Sequence, residues 1–330
     1  MRDFDESDVK IRPNRRGSRP RTKRRPEHAD AVIGMVIGVD RGRFAVRIDS
    51  RDVKAIKARE LGRRGIVVGD KVRVVGDASG KDGSLARIVG REKRSTALRR
   101  TADDADTTER VVVANADQLA IVTALADPEP NSRMIDRCVI AAYDAGLEAL
   151  LVLTKNDLGS PAELERHYQP LGVHIMTTSV SGDDHDGLEA LGEALTGHTT
   201  VLVGYSGVGK STLVNALLPD ADRAIGHVNE VTGRGRHTST SAVALELPGG
   251  GWIVDTPGVR TFGLAHVDDE HLLAAFPDVA EAATNCLRGC THRESESGCA
   301  LDDWAQSVEQ ATRLESIRRL IDSRLDDERR

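Results

Sequence analysis

Apolar residues change their spacing near residue 110, and this change separates two kinds of predicted structure. Before it, short runs rich in β-branched residues, separated by Gly-Asp pairs, predict strands. These strands are expected over residues 31–38, 42–48, 65–75 and 84–89. After it, apolar runs alternate with stretches of helical periodicity, which predicts a parallel sheet with helices on both faces. The chain is therefore expected to hold a small β domain followed by an α/β domain.

The second part of the chain alternates regularly between the two patterns. Predicted strands cover residues 117–123, 149–153, 174–179, 200–203, 241–247 and 252–254, and predicted helices cover residues 132–145, 161–171 and 186–195. Ser132 is the expected N-cap of the first helix, and Gly146 is its expected end. The tail predicts one amphipathic helix over residues 302–325, with helical spacing of Trp304, Val308, Ala311, Leu314 and Ile317.

Composition and charge narrow the class of protein. The chain has 330 residues, 39% of them hydrophobic and 30% charged, which is typical of a globular protein with two or three domains. Residues 1–110 carry 29 Lys and Arg against 18 Asp and Glu, whereas residues 111–330 carry 17 against 34. A basic front half on an acidic body indicates contact with a polyanion. The polar, basic N-terminus and the lack of a long apolar run predict a cytoplasmic protein without a membrane span.

Basic residues concentrate at the start of the chain. Between Lys10 and Arg25 there are nine basic residues and no acidic one, so residues 1–30 are expected to form a disordered arm that orders on nucleic-acid phosphate. Residues 31–98 are expected to form a closed β-barrel of the OB type. Phe44 is the only aromatic residue between positions 31 and 95, which argues against stacking on single-stranded bases. Contact of Arg and Lys with the backbone of folded RNA is favoured, and a sheet that binds protein partners is the alternative.

A glycine-rich motif of the form G-x-x-x-x-G-K-S follows the apolar run 200–203 and precedes a helix-like run. Its residues are Gly204, Tyr205, Ser206, Gly207, Val208, Gly209, Lys210 and Ser211, and Thr212 follows them. Between a strand and a helix, such glycines let backbone N–H groups surround a phosphate, and the helix N-terminus adds positive charge. Lys210 is expected to reach the β- and γ-phosphates and to stabilise charge during hydrolysis, while Ser211 binds Mg²⁺. The motif predicts a nucleoside triphosphate site.

A second motif, formed by Thr154, Lys155, Asn156 and Asp157, lies at the carboxyl end of a predicted buried strand, where open α/β sheets bind ligands. The Asp157 carboxylate is suited to accept from N1–H and the exocyclic amine of guanine, and adenine would leave it partly unpaired. Lys155 is expected to cover the base with its alkyl stem. Thr154 stands where the usual Asn-Lys-x-Asp motif has Asn, so one side-chain amide bridge to the phosphate loop is expected to be lost or weakened.

A short polar segment completes the predicted base site. Ser179, Val180 and Ser181 are expected to supply a backbone contact to the guanine carbonyl. If Asp157 reads no base, the alternatives are a helix-cap turn at residues 154–157 and a P-loop kinase or ATPase.

Two further segments are expected to respond to the γ-phosphate. Asp255 ends a predicted strand and is expected to hold Mg²⁺ largely through water, while the Gly258 N–H senses the γ-phosphate. Residues 233–240 are rich in Gly and hydroxyl groups and predict a switch loop, in which Thr238 or Thr240 supplies a hydroxyl to the metal.

Hydrolysis also needs a residue that orients the attacking water. Val259 follows the D-x-x-G sequence and is apolar, so it is unable to orient water, and slow intrinsic turnover is expected. His237 is the candidate in the first switch, with contact to rRNA or solvent as the alternative.

The two base motifs precede the phosphate motifs, whereas in an ordinary GTPase they follow them. The base reader at 154–157 and its closing segment at 179–181 precede the phosphate loop, the first switch and D-x-x-G. A sheet tolerates such a permutation when the former chain ends lie close together. As a consequence, residues 255–262 lead directly into the C-terminal segment.

Three of the chain's four cysteines lie between residues 286 and 299, in the pattern C-x₃-C-x-H-x₆-C. Three thiolates and one imidazole within 14 residues suit a closed, tetrahedral, structural Zn²⁺ site. The predicted ligands are Cys286, Cys290, His292 and Cys299. A disulfide is disfavoured in the cytosol, and a catalytic metal is disfavoured because the ligand set is full.

Together these motifs resemble the RsgA (YjeQ/EngC) family, circularly permuted GTPases that assist maturation of the small ribosomal subunit. The resemblance covers the chain from residue 31 to its end, with motifs in the family's order at 154–157, 179–181, 204–212, 233–240 and 255–258. It implies an OB fold, a permuted G domain over residues 99–275 and a zinc-binding helical domain over residues 276–330. Thr154 and Ser239 depart from the family's usual Asn and Thr.

The resemblance also implies an activity and partners. It implies weak GTP hydrolysis that the 30S subunit stimulates, contact with its 16S rRNA, and release on hydrolysis late in subunit maturation. The cofactors implied are GTP or GDP, Mg²⁺ and one structural Zn²⁺ per chain, in a monomer. A nucleotide-gated rRNA-binding scaffold with incidental hydrolysis is the alternative.

Overall fold

The computed structural model describes residues 28–62, 65–81, 83–101, 109–180, 186–232, 242–256, 262, 264, 267, 269–294 and 298–328. Residues 1–27, which make up nearly all of the predicted basic arm, lie outside this part of the chain.

The first strands close into a five-stranded barrel. They are β1 (Val32–Asp40), β2 (Arg43–Ile48), β3 (Arg51–Lys57), β4 (Lys71–Gly76) and β5 (Ala86–Arg91). The hydrogen-bonded order is β1-β2-β3-β5-β4, and β4 pairs back to β1. Only the β3–β5 pair within the barrel is parallel. The predicted OB-type barrel is confirmed.

The barrel encloses its own apolar core. Buried side chains from all five strands form this cluster, including Val36, Val46, Val53, Val72 and Ile88. Strand β3 was not predicted because charged residues occupy four of its seven positions, which weakens the apolar signal of the strand. Its buried residues, Val53 and Ala55, nevertheless face the barrel core.

A two-stranded hairpin follows the barrel and leads into the second sheet. It consists of β6 (Ala97–Thr101) and β7 (Glu109–Ala114), which pair antiparallel. Val113 of β7 forms a bridge with Val68, and the Ala114 N–H donates to the Val68 carbonyl at 3.0 Å. The hairpin therefore connects the two sheets through main-chain bonds, and the apolar pattern did not predict it.

The second sheet contains six strands. They are β8 (Gln118–Ala124), β9 (Glu148–Thr154), β10 (His174–Thr178), β11 (Thr199–Val203), β12 (Val243–Glu246) and β13 (Trp252–Asp255). Their order is β10-β9-β8-β11-β13-β12; the first five are parallel and β12 runs antiparallel to β13. Every residue of β8 is buried, as expected of a central parallel strand. A single pairing, Gly38 with Val243, joins this sheet to the barrel.

Five helices connect these strands. They are α1 (Ser132–Asp144), α2 (Ala162–Tyr168), α3 (Leu188–Leu195), α4 (Lys210–Leu217) and α5 (Ala221–Thr232). The predicted N-cap of α1 was wrong by one residue, because the Asn131 side chain accepts from the Met134 N–H at 3.0 Å. Helix α5 was not predicted; it packs against the barrel strands β1, β2 and β3 and against β12.

The described C-terminal residues form four more α-helices: α6 (Asp269–Ala274), α7 (Pro277–Ala283), α8 (Ala300–Trp304) and α9 (Val308–Glu328). The prediction of one continuous helix was wrong. Ser307 and Gln310 form reciprocal bonds, N–H of Gln310 to Oγ of Ser307 and N–H of Ser307 to Oε1 of Gln310, both at 3.1 Å. This capping box begins a new helix, so Val308 is 86% exposed instead of buried.

Helix α9 packs on the rest of the molecule through Leu314, Ile317, Leu320 and Ile321, which are all buried. Among the helices that the structure describes, none is both long and apolar enough to span a bilayer.

Two glycines with similar backbone angles provide a matched test of the junction between barrel and second sheet. Gly69 has φ +86°, and a Cβ there would lie 1.9 Å from the Ala114 carbonyl oxygen, whereas Gly42 has φ +83° and open space around it. We expect Gly42→Ala to cost about 1 kcal/mol in backbone strain and Gly69→Ala about 3 kcal/mol. Thermal unfolding should show midpoints lowered by about 3 °C and about 9 °C, respectively. Equal shifts in the two variants would contradict the close contact.

Candidate nucleotide-binding site and metal centre

Four loops meet at one edge of the second sheet. They follow strands β9, β10, β11 and β13, which are parallel to one another across β8. Because parallel strands end at the same edge, residues far apart in the sequence are brought together there. The segments at 154–157, 178–180, 204–211 and 255–256 share this edge.

The phosphate loop has the backbone geometry that its glycines permit. Gly204 has φ +149°, and a Cβ on it would lie 2.2 Å from the Val122 carbonyl oxygen, so a side chain there would collide with β8. Gly209 has φ +95° and immediately precedes α4. Ser206, Gly207 and Ser211 are exposed. The loop and the first turn of α4 therefore present open backbone N–H groups to a ligand.

Lys210 lies over the phosphate loop. Its Nζ donates to the carbonyl oxygens of Gly204 at 2.5 Å and Tyr205 at 2.6 Å. Lys210 also interacts electrostatically with Asp255 at the end of β13. The ammonium group is thus positioned between the loop and the acidic residue predicted to bind Mg²⁺.

A cavity of about 270 Å³ lies beside the phosphate loop. Its walls come from the predicted base reader, the closing segment, and the phosphate loop with the start of α4: Thr154, Lys155, Asp157, Leu158, Ser179, Val180, Gly209, Thr212 and Leu213. The base reader, its closing segment and the start of α4 therefore face a single space, with Asp157 at one wall and Gly209 at another.

Asp157 is held in place by the closing segment. The Ser179 hydroxyl donates to Asp157 Oδ1 at 2.7 Å. The bond fixes the carboxylate at the wall of the cavity. Ser181, the last residue of the predicted closing segment, lies outside the described residues.

Thr154 connects the base reader to the phosphate loop. Its hydroxyl donates to the Val208 carbonyl at 2.6 Å and lies 3.3 Å from the Thr123 carbonyl. In place of the amide bridge of the usual Asn, this hydroxyl joins Thr154 directly to the main chain of the loop. Thr154 is only 6% exposed, so the bond is shielded from water.

Asp255 occupies the end of β13 beside the phosphate loop. Burial raises the pKa of its carboxyl, and the nearby Lys210 ammonium acts in the opposite direction. The Thr256 hydroxyl donates to the Leu202 carbonyl at 3.0 Å and ties the start of the following loop to β11. Asp255 and Ser211 remain the predicted Mg²⁺ ligands, and a cation bound there would favour the ionised carboxylate.

Several predicted switch residues lie outside the described part of the chain. These are Gly258, Val259, His237, Thr238, Ser239 and Thr240. Their predicted roles remain predictions.

The Cys–His cluster has the shape of a tetrahedral metal site. The ligand atoms of Cys286, Cys290, His292 and Cys299 all lie within 4.8 Å of one another. The Sγ atoms of Cys286 and Cys299 are 3.9 Å apart, and His292 Nδ1 lies 3.6 and 3.8 Å from them. A tetrahedral Zn²⁺ with Zn–S bonds of about 2.3 Å separates its sulfur ligands by about 3.8 Å. The residues therefore fit zinc.

The neighbouring main chain supports this cluster. The Ala300 N–H points at Cys286 Sγ at 3.3 Å, and Arg318 of α9 donates to the His292 carbonyl at 3.0 Å. Burial raises the pKa of the Cys290 thiol to about 11, so metal binding would have to displace protons. These contacts outside the ligand set orient the ligands toward one point.

Comparison with known proteins identifies the family. A family model described as RsgA GTPase matches residues 91–265, slightly more than half of the chain. The chain belongs to the RsgA GTPase family. The resemblance drawn from the motifs is confirmed.

Individual members of the RsgA family support this assignment. The small ribosomal subunit biogenesis GTPase RsgA of Ectopseudomonas mendocina is 42% identical over 66% of this chain and 64% of its own length. The crystal structure of YjeQ from Thermotoga maritima is similar with a TM-score of 0.67 and 26% identity, covering 89% of this chain and 99% of the other. The structure of YloQ, described as a circularly permuted GTPase, has a TM-score of 0.62 and 22% identity over 91% and 98% of the two chains. The match thus spans somewhat less than two thirds of the first of these relatives, and the predicted permuted fold is confirmed.

Sequence reasoning missed Asp186, which bonds to the predicted base-site segments of this RsgA family member. Asp186 Oδ2 accepts from Asn156 Nδ2 at 2.7 Å, and its main-chain oxygen accepts from Thr178 Oγ1 at 2.9 Å and the Ser179 N–H at 3.0 Å. The glycine that follows Asp186 in the sequence was a signal for a tight turn. In the structure Gly187 has φ +72°, and a Cβ added to it would lie 2.1 Å from the Thr177 carbonyl oxygen. A tight turn at this position indicates that the preceding residue is fixed.

Lys155 is also held at a position that its motif did not reveal. Its backbone has φ +56°, and its Nζ donates to the Asp127 carbonyl. The ammonium is thereby anchored after β8, and the alkyl stem remains at the wall of the cavity.

The Thr154 bridge can be tested by removing only its hydroxyl. We expect Thr154→Val to weaken GDP binding by about tenfold, or about 1.4 kcal/mol, because the buried Val208 carbonyl loses its donor. Thr154→Ser keeps the hydroxyl and should bind GDP nearly as well as the unmodified protein. Titration with a fluorescent GDP analogue measures both. Equal affinities of the Val and Ser variants would contradict a role for the bond.

We expect the protein to bind zinc only through the Cys–His cluster. Purified protein should contain one Zn²⁺ per chain, and Cys290→Ser should lose most of it. Cys138→Ala is the control, because Cys138 is not part of the cluster and burial raises its pKa to about 12, which keeps it a neutral thiol. Elemental analysis after gel filtration gives both values. Full zinc retention in Cys290→Ser would remove this residue from the ligand set.

Proposed function

We propose that this chain hydrolyses GTP and assists late maturation of the small (30S) ribosomal subunit, with hydrolysis driving its release. The single observation that carries this proposal is the cavity shared by Asp157, Ser179 and the start of α4. It is supported by membership of the RsgA GTPase family. A relative in that family carries the name small ribosomal subunit biogenesis GTPase.

Guanine selection is assigned to the residues at the cavity wall. Asp157, held by Ser179, accepts from N1–H and the exocyclic amine of guanine. Adenine presents an acceptor at N1 and would leave the carboxylate unpaired, which costs binding free energy. The Lys155 stem covers one face of the base, and the main chain at 179–181 contacts the guanine carbonyl.

The triphosphate is assigned to the phosphate loop and α4. The loop N–H groups and the helix N-terminus bind the phosphate oxygens, and Lys210 moves its ammonium from the Gly204 and Tyr205 carbonyls to the β- and γ-phosphates. Ser211 and Asp255 would hold Mg²⁺, which neutralises charge between the β- and γ-phosphates when bound. Lys210 and the loop N–H groups stabilise the charge that develops as water attacks the γ-phosphate.

The turnover is expected to be slow in the free protein. Val259 presents no group that orients water, and we assign the positioning of the attacking water to His237. Thr238 or Thr240 supplies a hydroxyl to the metal, and the Gly258 N–H contacts the γ-phosphate. The ribosomal subunit completes this arrangement and so stimulates hydrolysis.

Contact with 16S rRNA is assigned to the basic front part of the chain. We propose four functional units: an arm at 1–30, a barrel at 31–98, a permuted G domain at 99–275 and a zinc-binding unit at 276–330. The arm and barrel supply Arg and Lys to the RNA backbone, where affinity depends on salt. The protein is proposed to act as a monomer in the cytoplasm, where the subunits mature.

The proposal predicts a GTPase that is slow alone and faster with its partner. GTP hydrolysis should increase at least tenfold on addition of 30S subunits, and unlabelled GTP but not ATP should compete for the site. Lys210→Ala should abolish turnover in both conditions, because contact with the β- and γ-phosphates is lost. Phosphate release measured with and without 30S subunits checks these outcomes.

The outcomes separate the proposal from its alternatives. Efficient competition by ATP would favour a P-loop ATPase or kinase. Normal release from subunits by a variant that binds but does not cleave GTP would favour a scaffold with incidental hydrolysis. An unchanged rate in the presence of 30S subunits would contradict the proposal.

A further inference from the structure

Two residues follow strand β10 at the wall of the base cavity, and their donors are used differently. Ser179 uses both of its donors within the protein: its hydroxyl donates to Asp157 Oδ1 at 2.7 Å, and its N–H donates to the Asp186 carbonyl at 3.0 Å. Val180 also lines the cavity, and its N–H has no partner among the described residues. Of these two residues, Val180 is therefore the one whose N–H is available to a ligand.

Asp186 joins this closing segment to the base reader. Its main-chain oxygen accepts from the Ser179 N–H and also from Thr178 Oγ1, the latter at 2.9 Å. Its side-chain Oδ2 accepts from Asn156 Nδ2 at 2.7 Å. The Asn156 N–H in turn donates to the Thr178 carbonyl at 3.4 Å. A single residue thus binds the segments that follow β9 and β10.

The main chain beside Asp186 has little freedom to move. Gly187 has φ +72°, and a Cβ added to it would lie 2.1 Å from the Thr177 carbonyl oxygen. The Gly187 carbonyl accepts from the N–H of Leu191 in α3 at 3.0 Å, and Leu191 is buried. Asp186 is therefore attached to a helix that packs into the core, which makes it a fixed support for the residues that it binds.

The two edges of a purine are read by different groups at this cavity. Asp157 is assigned to N1–H and to the amine at C2, whereas C6 carries a carbonyl in guanine and an amine in adenine. A main-chain N–H bonds to the carbonyl but opposes the amine, because the amine is itself a donor. The position of the Val180 N–H therefore discriminates between purines at C6, separately from Asp157.

We propose that Asp186, through its bond to Asn156, is a positioning residue that holds the Val180 N–H against the 6-carbonyl of guanine. This inference rests on the proposed assignment of the cavity to guanine. Asp186 acts through the main chain of Ser179 and Val180. Guanine is then selected at one edge by a side chain and at the other by a main-chain donor whose place depends on Asp186.

Two analogues of GDP separate these edges. 6-Thioguanosine diphosphate keeps N1–H and the C2 amine but carries sulfur, a weaker acceptor, in place of the 6-carbonyl oxygen. Inosine diphosphate keeps the carbonyl and N1–H but lacks the C2 amine. Titration of the full-length protein with GDP and with each analogue gives two affinity ratios. We expect the unmodified protein to bind GDP about tenfold more tightly than 6-thioguanosine diphosphate.

Variants of the Asn156–Asp186 pair should change only one of these ratios. In Asn156→Ala and in Asp186→Ala, the preference for GDP over 6-thioguanosine diphosphate should fall about threefold or more, while the preference over inosine diphosphate stays within about twofold. The double variant should show no further fall, because both changes remove the same bond. Asp186→Asn keeps an acceptor oxygen and should retain both ratios. Glu189→Ala, which removes an exposed carboxylate from the first turn of α3, is the control and should also retain both.

Each outcome supports or overturns the positioning role. An unchanged preference over 6-thioguanosine diphosphate in Asn156→Ala overturns it, and so does an equal fall in both ratios, which would show a general loosening of the site. Equal affinity of the unmodified protein for GDP and 6-thioguanosine diphosphate also overturns it. If Asp186→Ala does not fold, Asn156→Ala decides alone. Failure of the unmodified protein to bind GDP contradicts the proposed function instead, and the first titration shows this separately.

Discussion

The shared direction of the parallel strands is the constraint on which the site depends. Strands β9, β10, β11 and β13 end at one edge of the sheet, so the loops after them meet although up to a hundred residues separate them. The bond from the Thr154 hydroxyl to the Val208 carbonyl then fixes two of these loops against each other. Because the bond is buried, it retains its strength in the presence of water.

Chain order is secondary to this geometry. The base reader precedes the phosphate loop in the sequence, yet both border one cavity. The permutation matters at the other end, because the strand that carries Asp255 continues into the C-terminal helices. Arg137 donates to the carbonyl of Phe262 in that continuation, and the adjacent Asp136 accepts from Ser323 of α9.

Features defined by a short run of consecutive residues were predicted from the sequence, and features defined by contacts between distant residues were missed. The phosphate loop and the Cys–His cluster are contained in runs of eight and 14 residues, so their spacing alone defines them. Helix α5 and strand β3 were missed, because their apolar residues are few and are buried only against partners distant in sequence. Asp186 and Arg137 were missed for the same reason, since their bonds join segments that no periodicity relates. The break before α9 was predictable from the Ser307–Gln310 capping box.

The most direct measurement of the central claim is the base preference of an Asp157→Asn variant. Xanthine carries a carbonyl where guanine carries its amine, and an asparagine amide can donate to that carbonyl. If Asp157 faces the base across the cavity from the phosphate loop, GDP affinity should fall about 100-fold, or about 2.7 kcal/mol, and xanthosine diphosphate should become the preferred ligand. GDP affinity equal to that of the unmodified protein would show that Asp157 does not contact the base.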